Sequence, residues 1–330
     1  MNRIPLCDLS ALAATALASC ASTSYTLKKP EIPEDVEAYL RASEMRVDGI
    51  IPGDEKTVVW AGERGAKTPL SIIYLHGYQG SPLDYSPVLE RVGQRLGANI
   101  FFTRLSGYCV TTESIVNVSV SDWIDDTWEA LAVGRRIGDR VIVVGTSMGG
   151  DLALWLSTRN QPDIAAFVLF SCAVQPKDRR TDMLLWPWPL PDILLRVLVG
   201  KYNEMKVDPA TYPTANKALF AERNPPRYPS VSTMKLMGTV KLVRTLPLEA
   251  VTAPSLWLYS NGDDAVDIPT LKKYYDRMGG AGKRLQLVPD AHSHMLAGDI
   301  FQPETTDEVV AAILSFLEET GVAATGTSAP

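Results

Sequence analysis

Val141-Ile142-Val143-Val144-Gly145-Thr146-Ser147-Met148-Gly149-Gly150 is the stretch around which the rest of the chain can be organised. Four β-branched apolar residues in succession read as a buried parallel strand. Asp151-Leu152-Ala153-Leu154-Trp155-Leu156 behind them reads as a helix. Between strand and helix stands Gly-x-Ser-x-Gly, the nucleophile-elbow pattern, which lifts a serine hydroxyl to the carboxyl edge of a sheet on a strained turn. A turn that sharp leaves no room for side chains at Gly145 and Gly149. Ser147 is therefore the candidate nucleophile.

Working outward, further buried-strand patterns fall at 57–60, 70–75, 99–102, 165–170, 255–259 and 284–288. Stretches with helical spacing, 85–96, 121–136 and 270–278, alternate with them. This alternation predicts a mostly parallel sheet covered by helices on both faces. Right-handed crossovers then bring every strand-to-helix loop to one edge, where ligands bind. Between Ser171 and Ala253 there is more chain than one crossover needs. Its first half is rich in tryptophan and proline, Trp186-Pro187-Trp188-Pro189-Leu190-Pro191. Proline that dense forbids a regular helix there, and with Asp192 and Arg196 it excludes a membrane span. The insertion reads as a cap over the carboxyl edge, its tryptophans lining an acyl pocket, facing lipid, or simply packing the cap to the core.

A serine hydroxyl needs a base to take its proton, and the chain has only three histidines. His76 precedes the serine and reads as a loop-stabilising residue. In this architecture the order is serine, acid, histidine, which leaves Asp290-Ala291-His292-Ser293-His294-Met295-Leu296. Of the two, His294 is favoured by its apolar followers, with His292 as a rim residue. The acid falls in Gly262-Asp263-Asp264-Ala265-Val266-Asp267. Asp263 is preferred for the glycine before it and the apolar pair after it, while Asp264 and Asp267 read as solvated or helix-starting residues. Two backbone N–H groups complete an oxyanion hole, one from Met148 at the helix start and one from Tyr78 in Leu75-His76-Gly77-Tyr78-Gln79-Gly80.

The balance of charge is mildly acidic, net −6, and the basic residues are scattered, so nucleic acid is not an expected partner. No motif supports a metal, nucleotide or flavin, so no cofactor is expected. Near the start, Arg3 precedes a weakly apolar stretch ending in Leu17-Ala18-Ser19-Cys20. Small residues before a cleavage point mark a secretory signal, and this form resembles the bacterial lipobox. The resemblance implies a lipoprotein-type signal peptide over 1–19 and a lipidated Cys20. It also implies a membrane-anchored protein of the bacterial cell envelope, facing periplasm or exterior. Cys109 and Cys172 are then the two thiols left to pair. The strands leading into them are separated by two others, roughly 14 Å at about 4.8 Å per strand, against the ~7 Å between Cα atoms that a disulfide tolerates.

Leu75–Pro82, Arg104-Leu105-Ser106-Gly107-Tyr108, Ser121-Asp122-Trp123 and Gly145–Gly150 occur in order, and Ser293-His294-Met295-Leu296 follows. Together they resemble the α/β-hydrolase fold superfamily, in particular its carboxylesterases and monoacylglycerol lipases. That resemblance implies Ser147, Asp263 and His294 as a catalytic triad, with Tyr78 and Met148 as oxyanion donors. Where the group commonly has Gly-His-Gly, this chain has Gly107-Tyr108-Cys109, a change expected in the pocket wall near the leaving group. The insertion matches no cap of the group. The expected organisation is signal 1–19, tether 20–33, hydrolase core 34–172 and 253–320, cap 173–252 and a tail 321–330. The expected activity is hydrolysis of carboxylic esters, small-molecule or lipid, through an acyl-enzyme. An acyltransferase using the same residues and a non-catalytic anchored binding protein are the alternatives.

Overall fold

The computed structural model describes residues 30–183, 197, 200–204, 223, 227–280 and 282–323. The expected signal, Cys20, most of the tether, the tryptophan-proline segment and the last residues of the tail lie outside the described residues.

Seven strands form one sheet in the order β1-β3-β2-β4-β5-β8-β9. They are β1 (Thr57–Val59), β2 (Thr68–Leu75), β3 (Asn99–Phe102), β4 (Gly138–Thr146), β5 (Ile164–Phe170), β8 (Ser255–Tyr259) and β9 (Lys283–Leu287). Every neighbouring pair is parallel except β1 with β3. Two short strands, β6 (Tyr202–Glu204) and β7 (Arg227–Pro229), pair separately as an antiparallel ribbon. Among the described residues, the longer helices are α1 (Val36–Glu44), α2 (Val88–Leu96), α3 (Val120–Ile137), α4 (Met148–Ser157), α5 (Val231–Arg244), α6 (Ile268–Arg277) and α7 (Thr306–Glu319).

The β-branched runs dictate this layering. Side chains alternate across a strand, so Ile73, Leu75, Val141, Val143, Phe167, Leu169 and Trp257 face one apolar layer. Ile72, Tyr74, Ile142, Val144, Val168, Leu256 and Leu258 face the other. The first layer is closed by α1, α3, α4, α5 and α6, through residues such as Leu40, Trp123, Leu152, Val243 and Leu271. The second is closed by α2 and α7, through Val88, Val92, Ile313 and Phe316. A strand buried on both faces has no polar positions to alternate, which is why β4 and β5 read as continuous apolar runs.

The link from β5 to β8 passes through the region expected to be a cap. Its helix α5 packs on α4 and buries Met237, Val240 and Val243. Pro176 bridges to Val266, and Lys177 N–H donates to the Ala265 carbonyl. This part of the insertion is thus bonded into the core at the sheet's carboxyl edge. Cys109 and Cys172 are both free thiols, and β2 and β4 separate the strands that lead to them.

Candidate active site

Of the candidate site residues, Tyr78, Ser147, Asp263 and His294 follow the carboxyl ends of β2, β4, β8 and β9, and Met148 opens the helix behind Ser147. Ser147 follows β4 directly and has φ 51° and ψ −115°, a region that a residue with a side chain occupies at a cost of about 1–3 kcal/mol. The surrounding backbone over-determines it: Ser147 N–H donates to the Phe170 carbonyl, and the Ser147 carbonyl accepts from Ala173 N–H. A Cβ on Gly145 would lie 2.5 Å from the Gly149 carbonyl oxygen, so the turn closes only with glycine there. Ser147 is the N-cap of α4 and Met148 its first residue. The first N–H groups of a helix have no intrahelical acceptor, and the helix dipole favours negative charge at that end. Met148 N–H is therefore free to meet an anionic oxygen beside Ser147.

The loop after β2 lies against the serine. A Cβ on Gly77 would stand 3.3 Å from Ser147 Cβ, which places Tyr78 at the same opening. His76 fixes this loop. Its Nε2 accepts from Leu105 N–H at 3.0 Å, and its Nδ1 donates to the Gly77 carbonyl at 2.9 Å. Burial, reinforced by the Arg104 charge and opposed by the Gly77 bond, lowers the His76 pKa to about 4. The imidazole is thus neutral near pH 7 and bridges the loops after β2 and β3.

Asp263 and His294 meet directly, Nδ1 of the imidazole donating to Oδ2 of the carboxylate at 2.9 Å. The other oxygen, Oδ1, accepts from Ala265 N–H at 2.9 Å and Val266 N–H at 2.8 Å. Burial pushes the Asp263 carboxyl up, but the His294 charge and hydrogen bond, with the two N–H donors, outweigh it and hold the group below its ordinary value. Burial pulls His294 down, but the Asp263 charge and bond, with a contribution from Asp264, hold it above. The loops carrying the pair are tied together: Ser260 Oγ donates to the Ala291 carbonyl, and a Cβ on Gly262 would strike the His292 carbonyl at 2.7 Å. Asp264 and His292 are exposed, while Asp267 caps α6 through Thr270 N–H. Of the alternatives open in the sequence, the structure brings Asp263 and His294 together and leaves the others aside. The Ser147 hydroxyl makes no hydrogen bond among the described residues, a common state for a site without substrate.

Among the neighbours of the site, Tyr85 and Lys177 had no signal in the sequence, whereas Tyr78 and Tyr108 did. Tyr85 Oη accepts from Leu296 N–H at 3.2 Å, holding the histidine loop from beneath. Lys177 Nζ donates to the Asp263 carbonyl at 2.6 Å. Tyr108, where Gly-Tyr-Cys replaces Gly-His-Gly, sets its ring across His76 and directs its hydroxyl to Met148 Sδ at 3.7 Å. Tyr78 lays its ring beside Tyr108 and Tyr228 and bonds Ser232 Oγ at 2.5 Å.

A strained serine on a strand-to-helix turn and an acid–imidazole pair on loops at the same edge of the sheet are the features to set beside known proteins. The profile of the family described as serine aminopeptidase, S33, matches residues 69–300. The chain belongs to that hydrolase family. A thermostable monoacylglycerol lipase of Bacillus sp. (strain H-257) is 28% identical over 106 residues, 32% of this chain and 42% of the relative. This chain thus aligns with less than half the length of that curated relative. Among solved structures, one reported for the metagenome-derived lipolytic enzymes LipS and LipT superposes with a TM-score of 0.65. It is 19% identical and covers 82% of this chain and 99% of its own. The monoacylglycerol lipase of Paleococcus ferrophilus gives 0.60 at 16% identity, over 81% and 99%. A soluble variant of the Saccharomyces cerevisiae monoglyceride lipase gives 0.61 at 14%, over 83% and 97%. At such identities these likenesses establish the fold, and the fold is that of the α/β-hydrolases.

Proposed function

We propose that the chain hydrolyses carboxylic esters through an acyl-enzyme, with Ser147 as nucleophile, His294 as base and Asp263 as the orienting acid. The Asp263–His294 bond is the observation that carries this reading, because it fixes the imidazole tautomer. With Nδ1–H committed to the carboxylate, Nε2 presents a lone pair for the Ser147 proton. Ser147 Oγ then attacks the acyl carbon, and the carbonyl oxygen takes up negative charge between the N–H groups of Tyr78 and Met148. His294 passes its proton to the departing alcohol. Water, activated by the same imidazole, attacks the acyl-enzyme and releases the acid and Ser147. Each oxyanion donor contributes about 2.7–4 kcal/mol in the transition state.

Apolar acyl esters fit the tryptophan-rich composition of the insertion, and the lipases named above are in keeping with a lipid ester. Lipidation at Cys20 would hold the enzyme at a membrane, each buried CH₂ adding about 0.8 kcal/mol. Among the described residues no helix is long and apolar enough to cross one. A Cys20→Ala variant expressed in bacteria is expected to leave the membrane fraction with its activity intact. Retention in the membrane would move the anchoring elsewhere in the chain.

Turnover of p-nitrophenyl esters from acetate to palmitate, beside amino-acid p-nitroanilides, tests the reaction class. The expected result is ester hydrolysis that disappears in Ser147→Ala. Turnover of the anilides alone would make the protein a peptidase instead.

A further inference from the structure

The Tyr78 N–H belongs to a turn that carries local strain. Gly80 N–H donates to the Gly77 carbonyl at 3.1 Å and closes the four residues. Gln79, third of the four, has φ 60°, a left-handed backbone that suits glycine or asparagine there and is unfavourable for other residues. Gly77 lies against the nucleophile, a Cβ on it standing 3.3 Å from Ser147 Cβ. Relaxation of the turn at Gln79 would therefore move backbone beside the reacting centre. The Tyr78 side chain anchors the turn, and its anchor point lies in the insertion.

Tyr78 Oη stands 2.5 Å from Ser232 Oγ, and the continuation of that bond fixes its direction. Ser232 Oγ donates its one proton to the Pro229 carbonyl at 2.7 Å, so it accepts from the Tyr78 hydroxyl. Ser232 is buried, and the Tyr108 and Tyr228 rings lie beside that of Tyr78. Ser232 stands in the first turn of α5, and α5 is itself fixed to the helix behind the nucleophile. Seven positions on from Ser232, about two helical turns and on the same face, Thr239 Oγ1 meets Asp151 Oδ2 at 3.2 Å. Asp151 is in the first turn of α4, and its N–H donates to the Ser147 carbonyl. One helix of the insertion thus grips both segments that carry an oxyanion donor, the Tyr78 turn at its start and the Met148 helix further along.

We propose that Ser232 is a positioning residue of the oxyanion hole: through the Tyr78 hydroxyl it holds the Tyr78 N–H at the spacing from Met148 N–H that the tetrahedral intermediate requires. The hole is then complete only while α5 is seated. The inference rests on the reading of the chain as an ester hydrolase with those two donors. The full chain tests it in Ser232→Ala, in Tyr78→Phe and in the double variant. Tyr78→Phe breaks the same bond from the other side and keeps both the ring and the main-chain N–H. Two quantities are read, kcat and KM for p-nitrophenyl butanoate and the Ki of an alkyl trifluoromethyl ketone. Ser147 Oγ adds to the ketone carbon, its proton passes to His294, and the ketone oxygen becomes an anion in the hole. Each single variant is expected to lower kcat about 3- to 10-fold, the effect of one hydrogen bond, with KM little changed and Ki raised by the same factor. The double variant is expected to lose no more than either single one, because both remove one bond. A folded Tyr78→Phe or Ser232→Ala with kcat and Ki within about twofold of wild type overturns the positioning role and leaves the esterase reading standing. A loss confined to KM, or losses that multiply in the double variant, also overturn it. A wild type that turns over no ester overturns both readings.

Discussion

Replacing Asp263 by asparagine probes the site with the least change in shape. In the native protein Oδ1 accepts two backbone N–H groups and Oδ2 accepts the imidazole Nδ1–H. An asparagine can keep its one oxygen on the two N–H groups of Ala265 and Val266, which turns its NH₂ towards His294. The imidazole must then accept at Nδ1 and carry its proton on Nε2, where it cannot take the serine proton. The flipped amide does not rescue the site, because it sets NH₂ against two buried donors and leaves each unpaired, at about 1–3 kcal/mol apiece. The wrong tautomer thus prevails, and the expected loss in kcat is about 10⁴-fold, or roughly 5.4 kcal/mol at 1.36 kcal/mol per decade. The pH dependence carries a second signature. His294 must be neutral to act as base, so activity falls as pH drops through its pKa. Asp263 holds that pKa above the ordinary imidazole range, so the acid limb of kcat/KM lies above about 6.5 in the wild type. In the variant the charge that raised it is gone while burial remains, so the limb of any residual activity moves to lower pH. Steady-state hydrolysis of p-nitrophenyl butanoate across pH, with thermal melts to confirm folding, measures both. A folded variant with kcat within about tenfold of wild type, or with an unmoved acid limb, refutes the reasoning.

Other consequences follow from the same geometry. Arg104→Met strands the Glu44 carboxylate, which is buried and doubly bonded to that guanidinium at 2.8 and 2.9 Å; denaturant unfolding should show a loss of about 3–5 kcal/mol. His76→Ala removes the strut between the loops after β2 and β3, and should cost about 1–3 kcal/mol in stability and lower kcat. Because His76 is neutral through the working range, the acid limb of the pH profile should stay where His294 sets it. Gly145→Ala forces a Cβ onto the Gly149 carbonyl, backbone against backbone, and melting should report a loss of at least about 1–3 kcal/mol together with falling activity.

Much of this molecule is legible in its sequence because the deciding interactions are local. The runs at 141–144 and 165–170 announce buried parallel strands, and the glycines around Ser147 announce the turn. His294 separates from His292 because Met295 and Leu296 are buried behind it. What resists reading is the pairing of distant residues. The antiparallel direction of β1 against β3 depends on a register, not on any pattern in Thr57-Val58-Val59. Helix α5 buries residues on several sides, so its apolar spacing is blurred, and the insertion reads as a cap throughout. Asp54 and Arg223 stand 169 positions apart and meet only because the insertion closes over the core. Tyr85 and Lys177 brace the histidine and aspartate loops through one backbone group each, and such bonds leave no trace in composition or spacing.

The claim that Ser147 is an activated nucleophile can be tested directly by incubating the protein with a fluorophosphonate and measuring intact mass, followed by peptide mapping. The account predicts one adduct per chain, located on Ser147, absent in Ser147→Ala and formed far more slowly in His294→Ala. An unmodified wild-type protein, or an adduct at any other residue, would contradict it.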